Sequence, residues 1–158
     1  MPDPTNALKT RIDGFLKVPD IPGPSERDGH EEEIEVYGVD FTMTAPHDPN
    51  SLSRRGRVSL GVLTVRKHYD KSSPYLAKAL YDNTKLDEVV FTCRRTIEGE
   101  TADYLVVTMT DASVITYNMH ASDEEPDIIE DVVGFAYKTI KFVYDDDHEA
   151  EMNVATGA

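Results

Sequence analysis

The sequence predicts a mainly β domain, with its strands in an antiparallel sheet pair or a closed barrel and one short helix added. Three observations carry this. Alternation of period two runs through six or seven segments of the 158 residues. Only one segment has helical spacing together with a start signal. Several strands carry apolar residues on both faces for part of their length, more than the outside of a solitary sandwich needs. That last feature predicts that part of the outer surface is covered by other subunits.

The elements follow in order. Residues 12–18 read as a short strand that ends at Pro19. Residues 19–30 hold three prolines, two glycines and Ser25, and read as a loop. Residues 34–43 read as one strand, with Ile34 and Val36 on one face and Tyr37, Val39, Phe41 and Met43 on the other. Residues 44–57 form a long polar loop; loops beyond about 12 residues in a compact domain are usually functional or mobile. In residues 58–68, Val58, Leu60 and Val62 alternate against Leu63 and Val65. The helix signal follows: Ser73 as cap, Pro74 in the first turn, Leu76 and Leu80 four apart, and an end near Asn83. Val89, Phe91 and Cys93 mark the next strand, and Glu98-Gly99-Glu100 its hairpin turn. Residues 104–119 are a long β stretch with a bulge expected at Asp111 and Ala112. Residues 121–127 make an acidic turn, and residues 132–144 the last strand.

Length and composition suit a single domain, with a core over about residues 12–146 and flexible tails at 1–9 and 147–158. Acids outnumber bases 30 to 16, for a formal net charge of −14. Such a surface repels phosphate backbones and anionic lipid, so neither nucleic acid nor membrane insertion is expected. The charge otherwise serves solubility. The single cysteine, Cys93, excludes an internal disulfide. No apolar run approaches the roughly 20 residues of a membrane span. The first residues lack the apolar centre of a signal peptide. The chain is therefore expected to fold in the cytosol and to leave the cell, if it does, without a cleavable signal.

No catalytic constellation stands out. His30, His47, His68, His120 and His148 are scattered, so neither a metal nor a cofactor is expected. Asp145-Asp146-Asp147 lacks the alternation and central glycine of a calcium loop and reads as a solvated acidic tail. Cys93 shares a strand face with Val89 and Phe91 and reads as a core thiol. Ser72-Ser73-Pro74 reads as a helix start, with Ser73 and Pro74 in a structural role. The one basic cluster is Arg54-Arg55-Gly56-Arg57. With His47, these arginines are the candidates for contact with an acidic face of a neighbouring subunit.

Three stretches carry a resemblance. Phe15-Leu16-Lys17-Val18 leads through Gly23, Ser25 and His30 to Ile34-Glu35-Val36. Val65 leads to Asp70-Lys71-Ser72-Ser73-Pro74-Tyr75-Leu76 and Ala79. Phe135-Ala136-Tyr137-Lys138-Thr139-Ile140 is followed by Tyr144. In this order and spacing they resemble the haemolysin-coregulated protein (Hcp) family, the tail-tube proteins of type VI secretion. The chain departs from that pattern in its long loop, usually glycine-rich but here Ala45-Pro46-His47-Asp48-Pro49-Asn50, and in its acidic end. The resemblance implies a β-barrel of two packed sheets with one short helix on its side and no enzymatic activity. It also implies a homohexameric ring, and rings stacked into a tube inside a contractile sheath. The tube is tipped by the spike protein VgrG and expelled by sheath contraction, and some family members hold effector proteins in the channel. Two other readings compete, a monomeric barrel holding a small ligand and a hydrolase with an unrecognised site; the first needs an interior cavity.

Overall fold

The computed structural model describes residues 11–47, 50 and 56–154. It is an antiparallel β structure in two sheets with one short helix. The strands are β1 (Asp13–Lys17), β2 (Ile34–Val36), β3 (Gly38–Thr44), β4 (Ser59–His68), β5 (Leu86–Ile97), β6 (Glu100–Ala121), β7 (Ile129–Ala136), β8 (Thr139–Tyr144) and β9 (His148–Asn153), with α1 (Ser73–Tyr81) between β4 and β5. One sheet runs β2-β1-β5-β6-β8-β9. The other runs β3-β4-β7 and ends on the second half of β6.

Long strands are shared because they bend. β6 pairs with β5 as far as Ala112 and with β8 as far as Thr110, then crosses and pairs with β7 from Ser113. Asp111, at φ 51°, makes this corner. The bulge itself lies at Ile115, where the β6–β7 register shifts between Val114 and Thr116, a few residues beyond the expected place. The stretch expected as one last strand breaks at Tyr137 and Lys138 into β7 and β8, opposite the same corner. The strand expected over 34–43 likewise breaks at Tyr37, where the chain leaves β1 and joins β4.

The expected tail after residue 147 is a correction. Asp145 and Asp146 both take left-handed backbone (φ 49° and 60°) and turn the chain back. His148–Asn153 then pairs with β8 as β9. The β5–β6 hairpin has the two-residue turn its sequence announced, with Glu98 and Gly99 at φ 52° and 82°, a pair of positive angles that glycine eases.

The interior is filled by side chains from both sheets. Leu16, Phe91, Met109, Phe135 and Ile140 are all fully buried. At about 1.5–3 kcal/mol for burying each large apolar side chain, this core is the main source of stability. Cys93 is buried with it, its sulfur 3.3 Å from the Tyr104 hydroxyl.

Candidate functional site

Of the residues singled out as subunit contacts, His47 and Arg57 are exposed beside the long loop. Arg54 and Arg55 lie outside the described residues. The structure therefore places two of the four on one end of the molecule.

Ser73 is a second correction. The helix N-cap is Ser72, which has helical backbone (φ −79°, ψ −22°) and makes no side-chain cap. A capping hydroxyl needs an extended residue, and here the Asp70 carboxylate receives the Ser72 N–H instead, at 2.8 Å. Ser73 is the first helical residue and Pro74 follows it. The Ser73 hydroxyl points inward. It donates to Asp131, and its oxygen lies 2.8 Å from the Lys67 ammonium. Lys67 and Asp131 are directly paired across β4 and β7, 3.0 Å apart, and both are fully buried. Lys67 also reaches the His68 carbonyl at 3.1 Å and Asp70 at 3.2 Å. Tyr117 donates to the other Asp131 oxygen at 2.9 Å. Burial first, and then its bond to Asp131, pushes the Tyr117 hydroxyl far above the usual tyrosine range. A fully bonded buried pair of this kind fixes the helix on the barrel and has no spare group for chemistry.

A second polar cluster sits at the rim. His30 stacks on Phe15 with ring centroids 4.4 Å apart. Its Nδ1 is 2.8 Å from Glu33, and its Nε2 is 3.1 Å from Asp103. Arg94 holds the same Asp103 at 2.7 Å. The cluster closes the 19–33 loop over the outside of β1. Gly23 is needed in that loop because a Cβ there would lie 2.3 Å from the Glu33 carbonyl oxygen.

At the far end of the β3-β4-β7-β6 sheet the β6–β7 loop is held down. Glu125 bonds Arg11 and lies 3.2 Å from His68; these hydrogen bonds, His68 first, hold its carboxyl below the usual range. Glu130 bonds Tyr37 and lies 2.9 Å from His120, while burial pushes its carboxyl up. The acidic loop and the β3–β4 loop with Arg57 thus stand at opposite ends of one sheet.

The remaining surface feature is a pair of open sheet edges. Among the described residues, β3 pairs only with β4, and β6 beyond Ala112 pairs only with β7. Apolar side chains flank both edges. On β3, Met43 is 42% exposed, and on β6, Met119 is 58% exposed. Met119 lies opposite fully buried Asp131, so it belongs to the core-facing row and yet is exposed at the open edge. Among the described residues no three His, Cys, Asp or Glu side chains converge as metal ligands, and no helix is long and apolar enough to cross a membrane.

A family model described as "Type VI secretion system effector, Hcp" matches residues 15–144. The chain belongs to the Hcp family of type VI secretion. Among curated Hcp relatives, "Protein hcp1" of Pseudomonas aeruginosa PAO1 is 26% identical over 134 residues, covering 83% of each chain. The "Major exported protein" of the same strain is 28% identical over 96 residues, 61% of this chain and 56% of that one. Solved Hcp structures have the same fold. Hcp1 from the E. coli EAEC 042 pathovar superposes with a TM-score of 0.79 at 23% identity, covering 92% of this chain and 99% of that one. Hcp1 from Salmonella typhimurium gives 0.76 at 23%, covering 94% and 99%.

Lys67 and Asp131 escaped the sequence reading, although a signal was present. Lys67 continues the inward alternation of Leu63 and Val65, and Asp131 that of Val133 and Phe135. Charges placed on core-facing positions require partners.

Proposed function

We propose that this chain is a structural subunit of the type VI secretion inner tube, six copies closing into a ring and rings stacking into an expelled tube. Family membership supports the reading, and the observation that carries it is the pair of open edges on one four-stranded sheet. The edges differ, so a contact between them runs head to tail, and head-to-tail contacts close into rings. An open edge with apolar flanks is a surface made for strand addition. Continued from copy to copy, the sheet would turn its outer face toward the bore and bury Met43 and Met119. A single small-ligand barrel does not account for the open edges. The tube would leave the cell by type VI secretion and hold effector proteins in its channel.

Native mass spectrometry at micromolar concentration tests the ring: the expected species is six times 17.7 kDa, and a clean monomer would overturn the reading. Stacking is assigned to Arg54, Arg55 and Arg57 against the acidic β6–β7 loop of the next ring, since Arg57 and that loop stand at opposite ends of the sheet. Arg54→Glu with Arg55→Glu is expected to leave ring mass unchanged and to shorten tubes seen by electron microscopy; unchanged tubes would remove the loop's role.

A further inference from the structure

We propose that the lysine- and tyrosine-bearing face of α1 docks on the acidic β8–β9 turn of the next copy. The inference rests on the ring reading and adds a second contact beside the sheet edges.

The charge pattern is the first observation. In a chain of net charge −14, residues 71–85 carry Lys71, Lys78 and Lys85 against one acid, Asp82. The outer face of α1 also exposes aromatic rings, Tyr75 by 57% and Tyr81 by 84%. Tyrosine is a residue type that interfaces concentrate, and Lys78 lies between the two in sequence. Lys78 is 3.2 Å from Asp82 and 5.0 Å from the Tyr81 ring centre. An exposed pair of this kind is weak and exchanges partners at little cost. The helix beneath is rigid: Leu76 and Ala79 are buried and Ser73 is tied to Lys67 and Asp131. A pre-organised face loses little freedom on binding.

Topology supplies the second observation. β6 leaves the first sheet at Ala112, opposite Leu86, which lies five residues beyond the end of α1. The helix therefore lies beside the open edge of β6. The chain leaves the first sheet after β2 and enters β3 at the other end, next to Ile12, whose N–H bonds the Tyr37 carbonyl, and Asp13, which pairs with Arg94. The β8–β9 turn is at that end too, since Tyr144 pairs with Leu105 and Asp145 bonds Arg95 at 3.2 Å. Phe41 of β3 packs on Phe142 of β8, with centroids 5.2 Å apart. The basic helix thus accompanies one open edge, and Asp146 and Asp147 accompany the other. Within one chain they sit at opposite ends and cannot meet. Joining β6 of one copy to β3 of the next brings them together.

The test begins with the wild-type ring under a carbodiimide, which joins a lysine amine to a carboxylate in contact with loss of water. Mixing isotopically light and heavy copies marks links between chains. Peptides joining Lys78 or Lys85 to the 145–147 turn across chains are expected. Charge exchange is the second arm. Lys78→Glu with Lys85→Glu, and separately Asp146→Asn with Asp147→Lys, should each raise the concentration for half-assembly about tenfold. Combining the two sets should restore assembly. All four positions are exposed, and an unchanged melting temperature checks folding. Intact rings without those cross-links, or no rescue in the combined variant, would overturn this contact and leave the ring reading standing. A wild-type monomer would remove both.

Discussion

Lys67 and His30 are each gripped by carboxylates from more than one direction, and their settings differ. Lys67 is fully buried between β4, β7 and α1, with four partners for its ammonium. His30 is also nearly buried, but one of its partners, Asp103, is 39% exposed at the rim. Both clusters fasten an added segment to the barrel: α1 in one case, the 19–33 loop in the other. The difference teaches that the same device scales with the water around it. Near the rim, water replaces a lost partner. In the centre nothing does, so removing one member strands the other.

Breaking the central pair should give the largest effect. Lys67→Met leaves the buried Asp131 without its countercharge, and a loss of about 3–5 kcal/mol is expected by denaturant titration. Replacing both, Lys67→Met with Asp131→Leu, should recover most of it, because the cost lies in the orphaned charge. If the double variant is no better than the single one, the pair itself is the source of stability.

Ser73 sharpens the comparison at an intermediate size. Ser73→Ala removes one donor to Asp131 and should cost about 1–3 kcal/mol. Ser73→Asp should cost more, since it sets a further carboxylate against Asp131. A capping serine would give the opposite order, with aspartate tolerated. Melting temperatures of the two variants decide between these roles.

The rim cluster should respond least, and through pH. Burial works to raise the Asp103 carboxyl, but hydrogen bonds from Arg94 and His30 outweigh it and hold the group below its ordinary value. A carboxyl lowered in the folded state stabilises the protein above its unfolded value, and that contribution is lost as the pH falls below about 4. Asp103→Asn should therefore lower stability modestly at pH 7 and flatten part of the acid limb of the stability curve, the two proteins converging in acid. An unchanged acid limb would show that the clasp contributes nothing.

Much of this architecture was legible in the residues, and the gaps have physical causes. Alternation located β1, β4, β5 and β6 because each has one face on the core. It could not show where a long strand changes sheet, since the apolar rhythm of residues 34–43 and 132–144 continues across the bends at Tyr37 and Tyr137. It missed β9 because His148–Asn153 is an edge strand with little apolar character; a turn made by Asp145 and Asp146 holds it. Serine next to proline suggested a cap at Ser73. The inward pull of Lys67 and Asp131 decided otherwise, and those two residues are 64 positions apart. The register that joins them is not written locally. The open edges of β3 and β6 are likewise properties of pairing, visible only once every strand has its neighbours.

The 22-residue strand β6 belongs to both sheets. Neither sheet can melt while the other stays whole, since each would take half of the same strand with it. Calorimetry should accordingly record one cooperative transition, and the amides of Val107 and Met109 should exchange with solvent only through global opening. Because β6 collects partners from residues far apart in the chain, its completion is a late and slow event, as expected for folds built on distant pairings. In the proposed tube this would protect a subunit during expulsion, since a half-open form is disfavoured.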